Sequence, residues 1–180
     1  IRQGVWQCLT PAESNQQWYE RQFASLPESF VCTRSPELVA DTLRRLHALE
    51  GGRGTAWGRY VAESKTVEFT AGIHQGGARG IFSAMAGVLS SRGLSILAAE
   101  TAMLDDGLLL LRYQATDSQS TGPTEKKRLE KLAREMVEAI DSDAPPNFRR
   151  FWGTEKRKTT RPSPTCQSTC NSTRNSRRST

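Results

Sequence analysis

From Val67 the chain alternates: Val67, Phe69, Ala71 and Ile73 are apolar, and Glu68, Thr70, Gly72 and His74 stand between them. Strand side chains point to opposite faces in turn, so this period of two predicts a strand with one buried face. At Ile81 the period changes. Ile81, Phe82, Met85, Val88 and Leu89 fall at i, i+1, i+4, i+7 and i+8, one face of a helix, and Gly93 stands where a left-handed residue closes it. Ala84, Ala86 and Gly87 keep that helix thin, which lets it lie close on a sheet. Beyond Gly93, "LSILAAETAML" and "LLLLRYQATD" read as two strands joined by "DDG", an Asp-Gly hairpin signal. A last helix is expected from about Thr124 to Ile140, with Leu129, Leu132, Ala133, Met136 and Ile140 on one face and Glu130 and Arg134 paired at i, i+4 on the other. The order is βαββα, an antiparallel sheet over residues 65–140 with both helices on one face. A closed βαββαβ unit needs a fourth strand next, but "DAPPNFRRFWGTEKRK" offers only Phe148, Phe151 and Trp152, so that strand is expected to be short, irregular or missing.

Upstream the pattern is helical and interrupted. "TPAE" at Thr10 to Glu13 is a capping box with proline in the first turn, and Trp18, Phe23 and Leu26 supply an apolar edge up to the stop at Pro27. A second start follows at Ser35 and Pro36, with Leu38, Leu43, Leu46 and Leu49 as a stripe before Gly51 and Gly52 end it. Residues 1–60 therefore read as a helical connector segment. His47 lies among the leucines without a partner ligand in the sequence and reads as a packing neighbour.

Charge separates the tail from the rest. Residues 1–148 hold 16 Lys and Arg against 18 Asp and Glu, a net −2, whereas residues 149–180 hold 9 against 1, a net +8. From Gly153 to Thr180 there is no Leu, Ile, Val, Met, Phe, Tyr or Trp to offset the entropy of ordering, so residues 146–180 are expected to be a basic, disordered tail. No aromatic residue is interleaved with those charges for base stacking, which argues against a nucleic-acid partner. Cys8, Cys32, Cys166 and Cys170 show no disulfide-scaffold spacing, and the C-x3-C pair at Cys166 and Cys170 has no histidine near it to complete a metal site. The longest apolar run, Leu108 to Leu111, is far short of a membrane span, and there is no export signal, so a cytoplasmic protein without a membrane partner is expected. The chain opens on Ile1, which we read as the start of an internal or C-terminal fragment.

Candidate chemistry is sparse. Asp105 and Asp106 read as solvated turn residues that point apart, with no third acidic ligand nearby. Base recognition by the sheet would need exposed aromatic residues on the central strands; the third strand has Tyr113 alone, alternating with Leu109 and Leu111 and read as core. A nucleotidyltransferase needs a Gly-Ser turn followed by a D-x-D pair for magnesium, and a metal-dependent phosphohydrolase needs a His-Asp dipeptide with further histidines. Neither pattern occurs, and the only histidines are His47 and His74. No catalytic residue is assigned.

Over about 40 residues, "GIFSAMAGVLSSRGLSILAAETAMLDDGLLLLRYQATD" resembles an ACT domain, specifically the first of the two at the C-terminus of the bifunctional uridylyltransferase/uridylyl-removing enzymes that act on the nitrogen-regulatory PII protein. Upstream, "WYERQFASLPESFVCTRSPELVADTLRRL" is similar to the helical stretch joining the phosphohydrolase domain of those enzymes to their ACT pair, so the resemblance covers roughly Trp18 to Ile140. It implies an α+β fold, an ACT-type ferredoxin-like βαββα(β) sandwich over residues 65–145, preceded by the short helical segment. It also implies a second ACT domain after Ile140, which a tail without aliphatic residues beyond Trp152 does not supply; a truncated variant and a shifted reading frame both account for this.

The family's site implies an amino-acid effector at the turn between the first strand and first helix, here Gly76, Gly77, Ala78, Arg79, Gly80 and Ile81. The physics suits a carboxylate, because free amides and the dipole at a helix start attract anions and glycines let a ligand approach the backbone. Arg79 can add a charge-assisted hydrogen bond. Alignment on Gly80 puts Gly77 where the family often has an acidic residue and Arg79 where it often has proline. The implied function is the glutamine-sensing regulatory portion of a PII uridylyltransferase/uridylyl-removing enzyme. No cofactor is expected in this chain, since magnesium would belong to the parent's catalytic domains, and the partners are glutamine, PII through the parent, and another ACT domain, as in a homodimer. The alternative is a freestanding ACT-type small-molecule-binding dimer with a basic tail, regulating another enzyme or contacting nucleic acid.

Overall fold

Four helices come first in the computed structural model, which describes residues 1–9, 13–49, 54–74, 80–119 and 122–142. They are α1 (Arg2–Leu9), α2 (Glu13–Ser25), α3 (Glu28–Cys32) and α4 (Pro36–His47). Strands β1 (Gly54–Val61) and β2 (Thr66–His74) follow, then α5 (Ile81–Ser91), β3 (Leu94–Met103), β4 (Leu108–Asp117) and α6 (Lys126–Asp141). Of the expected helix signals, Pro36 stands at the head of α4, whereas the start at Thr10 and the stop at Gly51 and Gly52 lie outside the described residues, as does the tail from residue 143 with Cys166 and Cys170.

The four strands form one antiparallel sheet in the order β1-β2-β4-β3. The architecture is α+β and compatible with a ferredoxin-like arrangement. The strands from β2 onward and helices α5 and α6 are those the periodicity predicts, and Asp105–Gly107 makes the hairpin turn, with Asp106 and Gly107 both at positive φ. β1 was not foreseen. Its residues pair with β2 from Gly54↔Ile73 to Val61↔Thr66, inside the stretch 1–60 that reads as helical connector. In a split βαβ unit the edge beside the first strand belongs to a strand after the last helix. Here an upstream strand holds that edge.

One face of the sheet carries α5 and α6. Val67, Phe69, Ala71 and Ile73 of β2 and Leu111, Tyr113 and Ala115 of β4 pack against Ile81, Met85 and Leu89 of α5 and Leu129, Leu132, Met136 and Ile140 of α6. The α6 face matches the expected one residue for residue. On its polar side Glu130 approaches Lys126, at 3.8 Å, in place of the expected pairing with Arg134. The α5 face is rotated: Ile81, Ala84, Met85 and Leu89 are buried, and Phe82 is 44% exposed. Spacing alone admits either Ile81 or Phe82 as the edge of the stripe, and the sheet takes Ile81.

The helical segment covers the other face. Leu43 and Leu46 of α4, Tyr19 and Leu26 near α2, Phe30 of α3 and Val5 and Leu9 of α1 form a second core with Leu104, Leu108 and Leu110. Of the expected edge Trp18, Phe23 and Leu26, Leu26 just after α2 is buried while Trp18 and Phe23 are half-buried, and Tyr19 and Gln22 take the inner side of α2. Contact is closest at Gly72, where an added Cβ would overlap Leu46, so glycine lets α4 lie against β2. As a result β2 is buried on both sides, and Glu68, Thr70 and Gly72, which alternate as if toward water, lie under helices.

Burying Glu68 requires counter-charge. Its carboxylate meets Arg34 from the α3–α4 turn at 3.3 Å, Arg59 of β1 at 3.1 Å and Arg112 of β4 at 2.8 Å. Arg112 continues to Glu100 of β3 at 2.8 Å, and Arg34 caps the ring of Phe30 and donates to its carbonyl. Burial raises the Glu68 pKa, but the three guanidinium groups outweigh it and hold the carboxyl below its ordinary value. Asp117 behaves alike: burial is outweighed by hydrogen bonds from Arg128, the Gln119 amide and Thr124.

Leu89→Ala should cost roughly 2 to 5 kcal/mol as a core truncation. Phe82→Ala should cost on the order of 1 kcal/mol, because much of that ring is already in water; equal losses in urea unfolding would overturn the α5 orientation.

Glu68→Gln should destabilise by roughly 3 to 5 kcal/mol at neutral pH, since it leaves buried guanidinium charge uncompensated. A carboxylate with a depressed folded pKa stabilises fully above its unfolded value and loses that contribution as pH falls through the folded one. The wild type should therefore lose stability as pH drops from about 4.5, with a shallower acid limb in Glu68→Gln. Parallel pH profiles would refute the role given to Glu68.

Candidate functional site

The turn from β2 into α5 is the expected effector site, and it is built at the edge of what the structure describes. Gly76, Gly77, Ala78 and Arg79 lie outside the described residues; Gly80 and Ile81 lie within them. Gly80 is the N-cap of α5 at φ 77°, ψ −3°, the left-handed region that a side chain disfavours, and nothing lies within 4 Å of where its Cβ would be. Its carbonyl accepts the first helical bond, from the Ala84 amide at 2.9 Å, and as a glycine it supplies no side-chain cap of its own. The Ile81 side chain is buried in the sheet core and anchors the helix start, so its backbone is what remains to face a ligand.

The first turn of α5 is held from below. Tyr113 of β4 donates its hydroxyl hydrogen to the Phe82 carbonyl at 2.9 Å, and the two rings lie 5.3 Å apart. Burial pushes the Tyr113 hydroxyl pKa far up, so it stays a donor across the physiological range. Its placement in the core agrees with the alternation of β4, whereas its hydrogen bond to the helix start carries no sequence signal.

The remaining chemistry-bearing residues gather elsewhere. Asp105 and Asp106, read as pointing apart, both face Arg21 of α2, at 3.4 and 3.5 Å. Ser25 accepts from the Asp105 amide at 3.1 Å, which ties α2 to the β3–β4 turn. His47 stacks on Tyr19 with centroids 5.1 Å apart and meets the edge of Trp18 at 4.9 Å. It is a packing neighbour, as its isolation among leucines implies. His74 stands exposed at the end of β2. Gln22, which sequence reasoning passed over as a polar residue between aromatic ones, is fully buried.

Among the described residues no three His, Cys, Asp or Glu side chains gather as a metal site, and no helix is long and apolar enough to cross a membrane. No protein-family model matches the chain, and no curated protein matches it.

Proposed function

We propose that this chain is the effector-sensing regulatory portion of a PII uridylyltransferase/uridylyl-removing enzyme, an ACT-type domain that responds to glutamine and carries none of the parent's catalysis. The observation that carries the reading is Gly80, a left-handed N-cap at the head of α5 that brings no side chain to cap the first turn. Backbone amides at such a start attract a carboxylate. The βαββα order of β2, α5, β3, β4 and α6, with both helices on one face, supports the same reading.

A homodimer is the expected assembly. β3 pairs only with β4 among the described residues, and it breaks register between Ile96 and Ala98, where Leu97 is 59% exposed; Met103 is 52% exposed. A ten-residue edge strand with outward apolar side chains invites pairing with another chain. Light scattering at tens of micromolar should report a dimer, and Leu97→Lys should shift it toward monomer. A wild-type monomer would remove the assembly from the proposal.

Calorimetry with L-glutamine should show binding that weakens in Gly80→Val, because a branched side chain resists the left-handed conformation and crowds the path to the amides. Arg79→Ala should weaken it by roughly 1.5 to 3 kcal/mol if the guanidinium donates a charged hydrogen bond to the carboxylate. The decisive measurement is on the full-length parent: absence of any glutamine response in uridylylation would sink the sensing function.

A further inference from the structure

On the face of the sheet opposite α5, a cavity of about 320 Å³ lies between α2, α4 and the ends of β2 and β4. Its polar lining comes from Gln22, His47, His74 and Asp106, with Trp18 beside them, and leucines close the rest. Gln22 is fully buried. Its Nε2 donates to the Asp105 carbonyl at 3.2 Å, whereas its Oε1 meets no hydrogen-bond donor, the one buried side-chain polar atom in that condition among the described residues. A buried acceptor left unmatched is costly, and native proteins keep few of them without a purpose.

The surrounding charge says which donor the site prefers. Asp105 and Asp106 share a single guanidinium, that of Arg21, so two carboxylates face one cation at the rim. Among the described residues no lysine or arginine lines the cavity itself. Trp18 presents an aromatic surface of the kind that attracts cations. A carboxylate ligand would add a further negative charge beside two carboxylates that already share one guanidinium. A primary ammonium group, by contrast, brings three donors for the Gln22 oxygen, the Asp106 carboxylate and an imidazole nitrogen. The volume, near the lower end for small-molecule pockets, limits the ligand to about the size of an amino acid.

We infer that this cavity binds a small primary alkylammonium compound, with Gln22 Oε1 and Asp106 as acceptors and Trp18 as the aromatic wall. The cavity lies on the face of the sheet opposite helix α5, and the inference stands whether or not glutamine binds at the head of that helix.

The test uses n-butylammonium chloride as probe on the 180-residue chain, with n-butanol and sodium butyrate as neutral and anionic counterparts, followed by NMR of the Gln22 side-chain amide and the Trp18 indole. Saturable shifts of both resonances by n-butylammonium alone are expected. Asp106→Asn should weaken the probe by roughly tenfold or more, because a charge-assisted hydrogen bond is lost. That side chain is exposed and asparagine tolerates the left-handed conformation at φ 57°, so the variant should fold even if Gln22→Met does not. Gln22→Met should weaken binding similarly where it folds. Equal shifts from n-butanol or butyrate, no shift up to tens of millimolar probe, or unchanged affinity in Asp106→Asn would overturn the assignment.

Discussion

The carboxylate of Glu68 is buried in the middle of β2 with three guanidinium groups around it, and each comes from a different part of the chain: Arg34 from between two N-terminal helices, Arg59 from β1 and Arg112 from β4. Such a charge is tolerated in the interior only while its partners stay in place. The cluster therefore fixes the helical layer, the edge strand and the central pair relative to one another. Arg34 is as deeply buried as Glu68, and undocking the helices would break the ion pair between them. The N-terminal helices are thus a structural layer of the same unit, with Leu46 against Gly72 as its closest contact.

That double coverage explains what the sequence concealed. Alternation along β2 states that two faces differ, and it says nothing of whether the polar face meets water or a second layer. Glu68 and Thr70 read as solvent-facing because a buried glutamate gives no local sign of the arginines that neutralise it, which lie 34, 9 and 44 residues away. β1 was missed for a related reason. "GTAWGRYV" begins after a glycine cluster, contains two glycines, and is half-buried throughout, so its pattern shows neither clean alternation nor an apolar run. α6 was legible because a single sheet face dictates its stripe, while α5 could be read only to within one residue of rotation, which turned Phe82 outward.

Edge usage follows from the same topology. One edge of the sheet is β1, whose inner side carries Gly54 against Ile140 and Gly58 against Phe69, both close approaches. Arg45 of α4 lies over the ring of Trp57 at 5.3 Å on its other side, so this edge is flanked by helices on both faces. β3 has no such cover: seven of its ten residues are exposed, and its bulge at Leu97 pushes an apolar side chain outward. Bulges bend an edge strand and interrupt its ladder, which limits indiscriminate pairing without hiding the apolar surface. The asymmetry between the two edges directs association toward β3.

The candidate effector turn was legible only in part, because its glycines reveal a tight strand-to-helix passage and not which backbone groups are already used. The structure adds that Ile81 is an anchor and that Tyr113 pins the Phe82 carbonyl from the adjacent strand. Both constraints act on the helix side of the turn, whereas its strand side ends at His74, beside the cavity that contains Gln22 and Asp106. β2 therefore connects the two faces physically: its last residue adjoins the helical layer, the chain leads on from it to α5, and its third residue is Glu68.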